Sequence, residues 1–475
     1  MPPPRRAARR RFAAAAAESP RAVRGSRRLS VRHGEPFKLE GRCGGGGGDD
    51  DDDGLPLSDE ALLLVFSSLS FTTADLVRCA ATCRRWRRLV SADAAFVCPR
   101  ATPRSDPCIR SLALGFFHSH TTDGGVSVTQ PRFVPLSAAA SRLQPSFAAL
   151  LDGGGASRVV ASRNGRLVLD LRRCANTTVT HAVRLGVCNP VTGGGGVGLD
   201  VLPQLRGKDS PTGPYACTVI TAADERGGGD RRMMTRYSSY RVLLLYNRRG
   251  FTALRCYSSD EGSWGPEAEV TGARIGRTQL AVGPHAAVVH RGVVFWPRLA
   301  VALRLDSLLQ PAPAVSAAKT PPRYTVAGFS PATTRQRHSS TMVTHRLLGV
   351  MPGGGLLRVE ADMETIRAYW GGRKDGDGDI VDGGCLLGEA LKWRWTKMQA
   401  LMKVHTVRLR WLCEKSGLII FTARNNSDSD THVYTLDVET EEIRRVATAP
   451  GGESSLEEMC AYEMDRVTLL ASLAR

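Results

Sequence analysis

LPLSDEALLLVFSSLSFTTADLVRCAATCRRWRRLVSADAAF, residues 55–96, is the stretch on which the reading of the chain turns. Leu62, Val65, Phe66 and Leu69 recur at i, i+3, i+4 and i+7, the spacing that places side chains on one face of a helix. Ser58 precedes them as a cap, and Asp59 and Glu60 fall in the first turn, where unpaired backbone N–H groups favour carboxylates. A second helix is expected after Thr73, with Asp75 in its first turn and Leu76, Cys79, Ala80 and Cys83 at helical spacing. In a third, Cys83, Trp86, Leu89 and Val90 line one side, and Arg84, Arg85, Arg87 and Arg88 form a basic outer face. A unit this short buries little surface by itself, and a partner often supplies the rest.

Working outward, residues 1–54 hold ten arginines before residue 35 against the single acid Glu18, then five glycines at 44–48 and five aspartates at 49–53. Such sequence cannot bury enough apolar surface to fold and is expected to be a disordered basic tail. The arginine clusters are compatible with a nuclear address, the Arg/Ala/Ser bias with an organelle transit peptide, and both with a plain solvated tail. Residues 1–34 alone carry about half of the formal net charge of +18, and the remainder is spread thinly along the rest of the chain, which argues against the nucleic-acid partner that such a charge would otherwise suggest. Twelve cysteines without a CxxC pair give neither a zinc ribbon nor a redox site, and imply reduced thiols. No run approaches the ~18 apolar residues of a membrane span, so a soluble chain is expected, in the nucleus or cytoplasm if no transit peptide directs it elsewhere.

From about residue 110 the texture changes to short strand-like runs bounded by Gly, Pro, Asn and Asp: RVVAS (158–162), RLVLDL (166–171), YRVLLLY (240–246), GVVFWP (292–297), GLLRVEAD (355–362), GLIIFTA (417–423) and HVYTLDV (432–438). Asn164-Gly165 between two of them is a hairpin signal, since both residues tolerate positive φ. Hairpins without intervening helices are most economically closed into a barrel or a propeller. The expected organisation is an α+β multidomain chain: tail 1–54, a three-helix unit at 55–98, a linker at 99–110, and a large all-β, propeller-like domain at 111–475.

Leu55-Pro56, the VFSSL turn, Asp75-Leu76 and CRRWRRLV together resemble an F-box, with Ser70 and Thr82 departing from its usual pattern. LGVCNPVTG (185–193), RCYSSDEGSWGPEA (255–268), VVHRGVVFWP (288–297) and VYTLDVETEEIRRV (433–446) extend the likeness to plant F-box proteins with a β-rich associated domain. The resemblance implies that Leu55, Pro56, Leu62, Val65, Phe66, Leu76, Val77, Cys83 and Trp86 form or support a surface for a Skp-like adaptor, and through it a cullin. It implies a substrate-recognition subunit of a ubiquitin ligase that holds an unknown target protein, without catalysis or cofactor. The alternative is a basic nucleic-acid-associated protein with no ligase role; a propeller hydrolase is a third reading.

The other motifs carry little chemistry. Gly193, Gly195 and Gly198 satisfy GxGxxG, but LDVLPQL follows where a nucleotide fold needs a helix. Asp375, Asp377 and Asp379 are spaced like calcium ligands, yet Ile380 stands where the loop needs Gly and Leu386 where it needs Glu. Cys79 and Cys83 lie one turn apart without two further metal ligands nearby. The ten histidines form no catalytic motif. Trp393, Trp395 and Trp411 beside Arg394 and Arg410 could line a recognition surface, although alternating Trp393 and Trp395 more readily mark a buried strand face.

Overall fold

Strand YRVLLLY shows how the β region is assembled. Successive side chains of a strand point to opposite faces, and here Val242, Leu244 and Tyr246 pack on one neighbouring sheet while Leu243 and Leu245 pack on another. Both faces are covered, so the sheets must stack face to face. In the computed structural model the described residues are 56–68, 72–98, 108–120, 130–143, 157–171, 183–191, 198–211, 213–225, 239–270, 274–281, 286–299, 301–305, 323–324, 345–352, 354–361, 366–370, 404–425, 430–449, 456 and 458–474.

Among the described residues six sheets follow one another along the chain. The first pairs β1 (Ala113–His120) with β2 (Gln130–Pro135) and with the last strand, β23 (Cys460–Glu463). The second is β3 (Arg158–Arg163), β4 (Arg166–Asp170), β5 (Leu185–Cys188) and β6 (Leu199–Val201). The third holds β7 (Tyr215–Thr221), β8 (Tyr240–Asn247), β9 (Thr252–Ser258), β10 (Ser263–Trp264) and β11 (Ala268–Val270), with β15 (Arg323–Tyr324) added in parallel at its edge. The fourth is β12 (Val288–His290), β13 (Val293–Trp296) and β14 (Val301–Arg304), and the fifth is β16 (His345–Val350), β17 (Leu356–Ala361) and β18 (Ile366–Trp370). The sixth comprises β19 (Val404–Cys413), β20 (Leu418–Asn425), β21 (Thr431–Asp437) and β22 (Ile443–Ala449).

The apolar seams close this series into a ring. Val168 and Val187 meet Val219 and Val242 between the second and third sheets, and Leu243 and Leu245 meet Val294 and Trp296 between the third and fourth. Phe295 meets Leu348 and Val350 at the next seam, and Leu357 and Val359 meet Leu409 and Phe421 at the one after. Trp411 and Ile420 of the sixth sheet share a core with Phe116, Phe117 and Tyr462 of the first and Leu167 and Leu169 of the second. The sheet order therefore makes a closed, propeller-like ring, and the expected fold class holds. Closure is achieved by the first and last strands of the ring: β23 pairs antiparallel with β1.

At one end of the ring the strand termini are locked by a buried polar network. Arg163 reaches Asp224 at 2.8 Å and Glu414 at 2.8 Å, and Asn164 Nδ2 donates to Thr221 Oγ1 at 2.8 Å. The Val350 amide donates to Glu414 at 3.2 Å, and the Lys415 amide to Glu463 at 2.9 Å. Burial pushes the Asp224 carboxyl up, but Arg163 and then Lys415 outweigh it and hold Asp224 below the usual carboxylate value. Burial raises Glu463 against the amides and Lys415 that oppose it. The network joins the C-terminal ends of β3, β7, β16, β19 and β23, so these strands run in the same direction around the axis.

The expected hairpin forms at Asn164-Gly165, with φ of 48° and 77°. Residues 465–474 depart from the expected boundaries. They leave the ring after β23 as a helix, Arg466–Ala471, followed by a short 3-10 turn, and pack between the N-terminal helices and the ring, with Leu470 in the helical core and Leu469 against the core of the first sheet. Among the described residues no helix is long and apolar enough to cross a membrane.

Candidate functional site: the helical unit and its exposed face

The helix α1 spans Asp59–Ser68, and its start is capped as the sequence suggests: the Ala61 amide donates to Ser58 Oγ at 3.2 Å. Asp59 also accepts from Arg85 Nε at 2.9 Å, which ties α1 to the third helix. Helix α2 covers Thr73–Thr82, but its cap is Thr72, one residue earlier than expected. The reason is a capping box: the Asp75 amide donates to Thr72 Oγ1 at 3.3 Å, and the Thr72 amide to Asp75 Oδ2 at 3.2 Å. The Thr72 hydroxyl and amide hold the Asp75 carboxyl below its ordinary value. Helix α3, Arg84–Ala92, starts at Cys83, whose Sγ accepts from the Trp86 amide at 3.4 Å, and α4, Ala94–Val97, follows after Asp93.

These helices sort the residues implied in docking into two groups. Leu62, Phe66 and Leu76 are buried in the unit's own core with Leu63, Ala80, Leu89 and Val90, and Phe66 meets Trp86 edge to face at 5.2 Å. Their place is support from within. Pro56 and Val65 are exposed, while Val77, Cys83 and Trp86 are half-buried. Leu55 and Leu69 lie outside the described residues. Leu57 is 43% exposed, Leu64 61%, Val65 41% and Phe96 49%; beyond the helices only Val201 joins them among the large exposed apolar side chains described.

The basic face expected on α3 is partly turned inward. Arg85 is mostly covered at its bond to Asp59, and Arg87 Nε donates to the Ala80 carbonyl at 3.3 Å. Sequence reasoning also missed the C-terminal helix. Val467 and Leu470 enter the helical core beside Leu76, Leu89 and Val97, and buried Arg466 donates from Nε to Thr73 Oγ1 at 2.6 Å. Asp465 caps this helix through the Thr468 amide at 2.6 Å, and Thr468 Oγ1 donates to the Asn164 carbonyl at 3.2 Å. The signal was present: an Asp cap followed by Val467, Leu470 and Ala471 at i, i+3 and i+4.

Residues 56–96 match the F-box-like family model. A comparison with curated proteins finds no match. Among solved structures, the β-propeller domain of the trilobed protease from Pyrococcus furiosus is 11% identical, with a TM-score of 0.25 over 60% of this chain and 66% of that one. A protein from Lactobacillus plantarum is 10% identical, with a TM-score of 0.32 over 74% of this chain and 100% of its own. A functionally unknown protein from Desulfotomaculum acetoxidans is 9% identical, with a TM-score of 0.29 over 62% and 70%. Likenesses this slight leave the architecture to rest on the sheet order itself.

The remaining candidates gather no site. Trp411 is buried at the seam of the sixth and first sheets, and Arg410 Nε donates to Thr422 Oγ1 at 3.0 Å. Trp393, Trp395, Arg394, Gly193, Gly195 and the run of Asp375, Asp377 and Asp379 lie outside the described residues. Among the described residues no group of His, Cys, Asp and Glu is arranged to hold a metal ion.

Proposed function

We propose that this chain is the target-recognition subunit of a Skp-cullin-F-box ubiquitin ligase, with the helical unit docking on a Skp-like adaptor and the β ring holding a protein to be ubiquitinated. The observation that carries the reading is the placement of exposed apolar side chains. Leu57, Leu64 and Val65 lie at and along α1, and Phe96 on α4, in the segment that matches an F-box-like model, while the described residues of the ring add only Val201. An isolated exposed apolar side chain is ordinary, but several concentrated in one small unit mark an interaction face. Burying an apolar side chain of this size contributes ~1.5–3 kcal/mol, so a few provide the core of an interface. The ring then resembles the associated domain of plant F-box proteins, and the chain acts by proximity: holding a target beside an activated ubiquitin raises its effective concentration, with no catalytic residue supplied here.

Leu64→Glu combined with Val65→Glu tests the docking directly, because both side chains point to solvent and the core is untouched. The expected result is loss of co-purification with a Skp-like adaptor at an unchanged melting temperature. Retained co-purification refutes the docking face.

A further inference from the structure

The end of the third sheet farthest from the helical unit carries an arginine-lined pocket of about 200 Å³, bounded by Pro214, Asn247, Arg248, Arg249, Arg274 and Arg277. Pro214 precedes β7, and Asn247 and Arg248 stand where β8 turns into β9; pairing of Tyr215 with Tyr246 brings these ends together. The other end of β7 reaches Asn164, on which the C-terminal helix rests. The pocket and the helical unit are thus separated by the length of a strand, about 20 Å, and both are free to be occupied at once.

The pocket is built before any ligand arrives. Asn247 Nδ2 donates to the Ile275 carbonyl at 2.8 Å, and the Ile275 amide donates to Thr252 Oγ1 at 3.1 Å, fixing the segment that bears Arg274 and Arg277 against the β8–β9 turn. Arg248 is committed to the scaffold: Nε donates to Glu267 at 2.9 Å and Nη1 to the Ser210 carbonyl at 3.0 Å, and Glu267 and then Tyr246 help keep it charged. Arg249, Arg274 and Arg277 are exposed, and none is paired with an acid among the described residues. Three guanidinium groups held around one concavity, with their neighbour already neutralised, leave an uncompensated positive field. Arginine's planar fork matches carboxylate and phosphate oxygens.

The geometry points to this pocket as the place where the ring takes a segment of its target bearing clustered anionic side chains, phosphorylated or acidic. Nucleic acid fits less well, because single strands are held on aromatic platforms along an extended groove, and among the described residues no aromatic side chain bounds this compact site. The inference rests on the target-holding role proposed above, but its test is independent of the adaptor.

The full chain is titrated into a fluorescein-labelled peptide carrying a pair of phosphoserines, its Glu counterpart and its Ser counterpart, read by anisotropy, with inorganic pyrophosphate as competitor and a single-stranded RNA as a separate probe. The phosphorylated peptide is expected to bind, and the triple variant R249A/R274A/R277A to weaken it at least about tenfold, as loss of charge-assisted hydrogen bonds requires, with melting and adaptor binding unchanged. Comparable affinity for the Glu peptide assigns the pocket to acidic segments, and preference for the phosphopeptide assigns it to modified ones. Binding of the peptides that is equal in the triple variant belongs to the arginine-rich tail and overturns the proposal. So does absence of peptide binding, pyrophosphate bound as tightly as the peptides, or RNA binding that alone depends on the three arginines. Failure of adaptor co-purification leaves this result standing, and the reverse holds too.

Discussion

Leu470→Ala removes a fully buried side chain that the chain contributes, from its far end, to the core of the F-box-like helices. The transfer loss alone is about 2.4 kcal/mol, from three carbon groups at about 0.8 kcal/mol each. The cavity left among Leu76, Leu89 and Val97 brings the expected cost to about 2–5 kcal/mol. For a small helical unit this is a large share of its stability, so the cost should appear as local opening and not as collapse of the ring. Hydrogen exchange followed by mass spectrometry separates the two. Amides of α1–α4 should exchange about 30-fold faster or more, since 1.4 kcal/mol is a factor of about ten, while strands such as β8 and β20 keep their protection. Adaptor affinity should fall in step. Exchange across residues 59–97 within about twofold of the parent would show that the C-terminal helix merely lies against a self-sufficient unit, and the reasoning would fail.

Arg163→Met removes the buried cation that Asp224 and Glu414 share, strands both beside weaker partners, and should destabilise the ring by about 3–5 kcal/mol at neutral pH. In the parent, Asp224 titrates below its ordinary value, so its contribution is present above the unfolded pKa and is lost only as pH falls through the depressed one. In the variant the sign reverses, because acidification neutralises the stranded groups; thermal melts at pH 7 and pH 4.5, on the order of the carboxylate range, should show the deficit shrinking, and a deficit that grows would contradict the assignment. Gly165→Ala places a Cβ 2.5 Å from Thr468 Cγ2 at a φ of 77° and should cost about 1–3 kcal/mol in urea denaturation. Thr468→Ser on that background removes the opposing methyl and should recover part of the loss; no recovery would mean that backbone strain alone sets the cost.

What could be read from the sequence was what is encoded locally. Ser58 and the apolar spacing around Phe66 gave α1, and Asn164-Gly165 gave its turn, because capping and positive φ are satisfied by neighbours in the chain. RVVAS, RLVLDL and YRVLLLY became β3, β4 and β8 almost to the residue, since β-rich runs ended by turn formers carry their own limits. Thr72 took the cap from Thr73 because the choice depends on a reciprocal bond with Asp75, and Thr73 is wanted elsewhere, as acceptor for Arg466. The ring's six sheets could not be counted in advance, because β1 and β23 pair across almost the whole chain. Nor could helical spacing tell Leu62 and Phe66, which face inward, from Leu64 and Val65, which face out: all four are apolar, and burial was decided by α2, α3 and the distant Leu470. The arginine pocket was invisible for the same reason, since Arg249 and Arg274 become neighbours only when Asn247 grips Ile275.

The last strand and the helix that follows it impose an order on the birth of this protein. Residues 56–98 leave the ribosome before the ring, yet Val467, Leu470 and Arg466, which fill and fasten their core, are made only after it. β23, which seals the ring, comes only just before them. A nascent chain therefore exposes the F-box-like segment without its finished core beside a ring still open at one seam. Both defects are cured by the same short stretch of sequence. In the proposed role, docking is in this way coupled to completion of the ring, and a chain truncated before residue 460 is poorly equipped for either task.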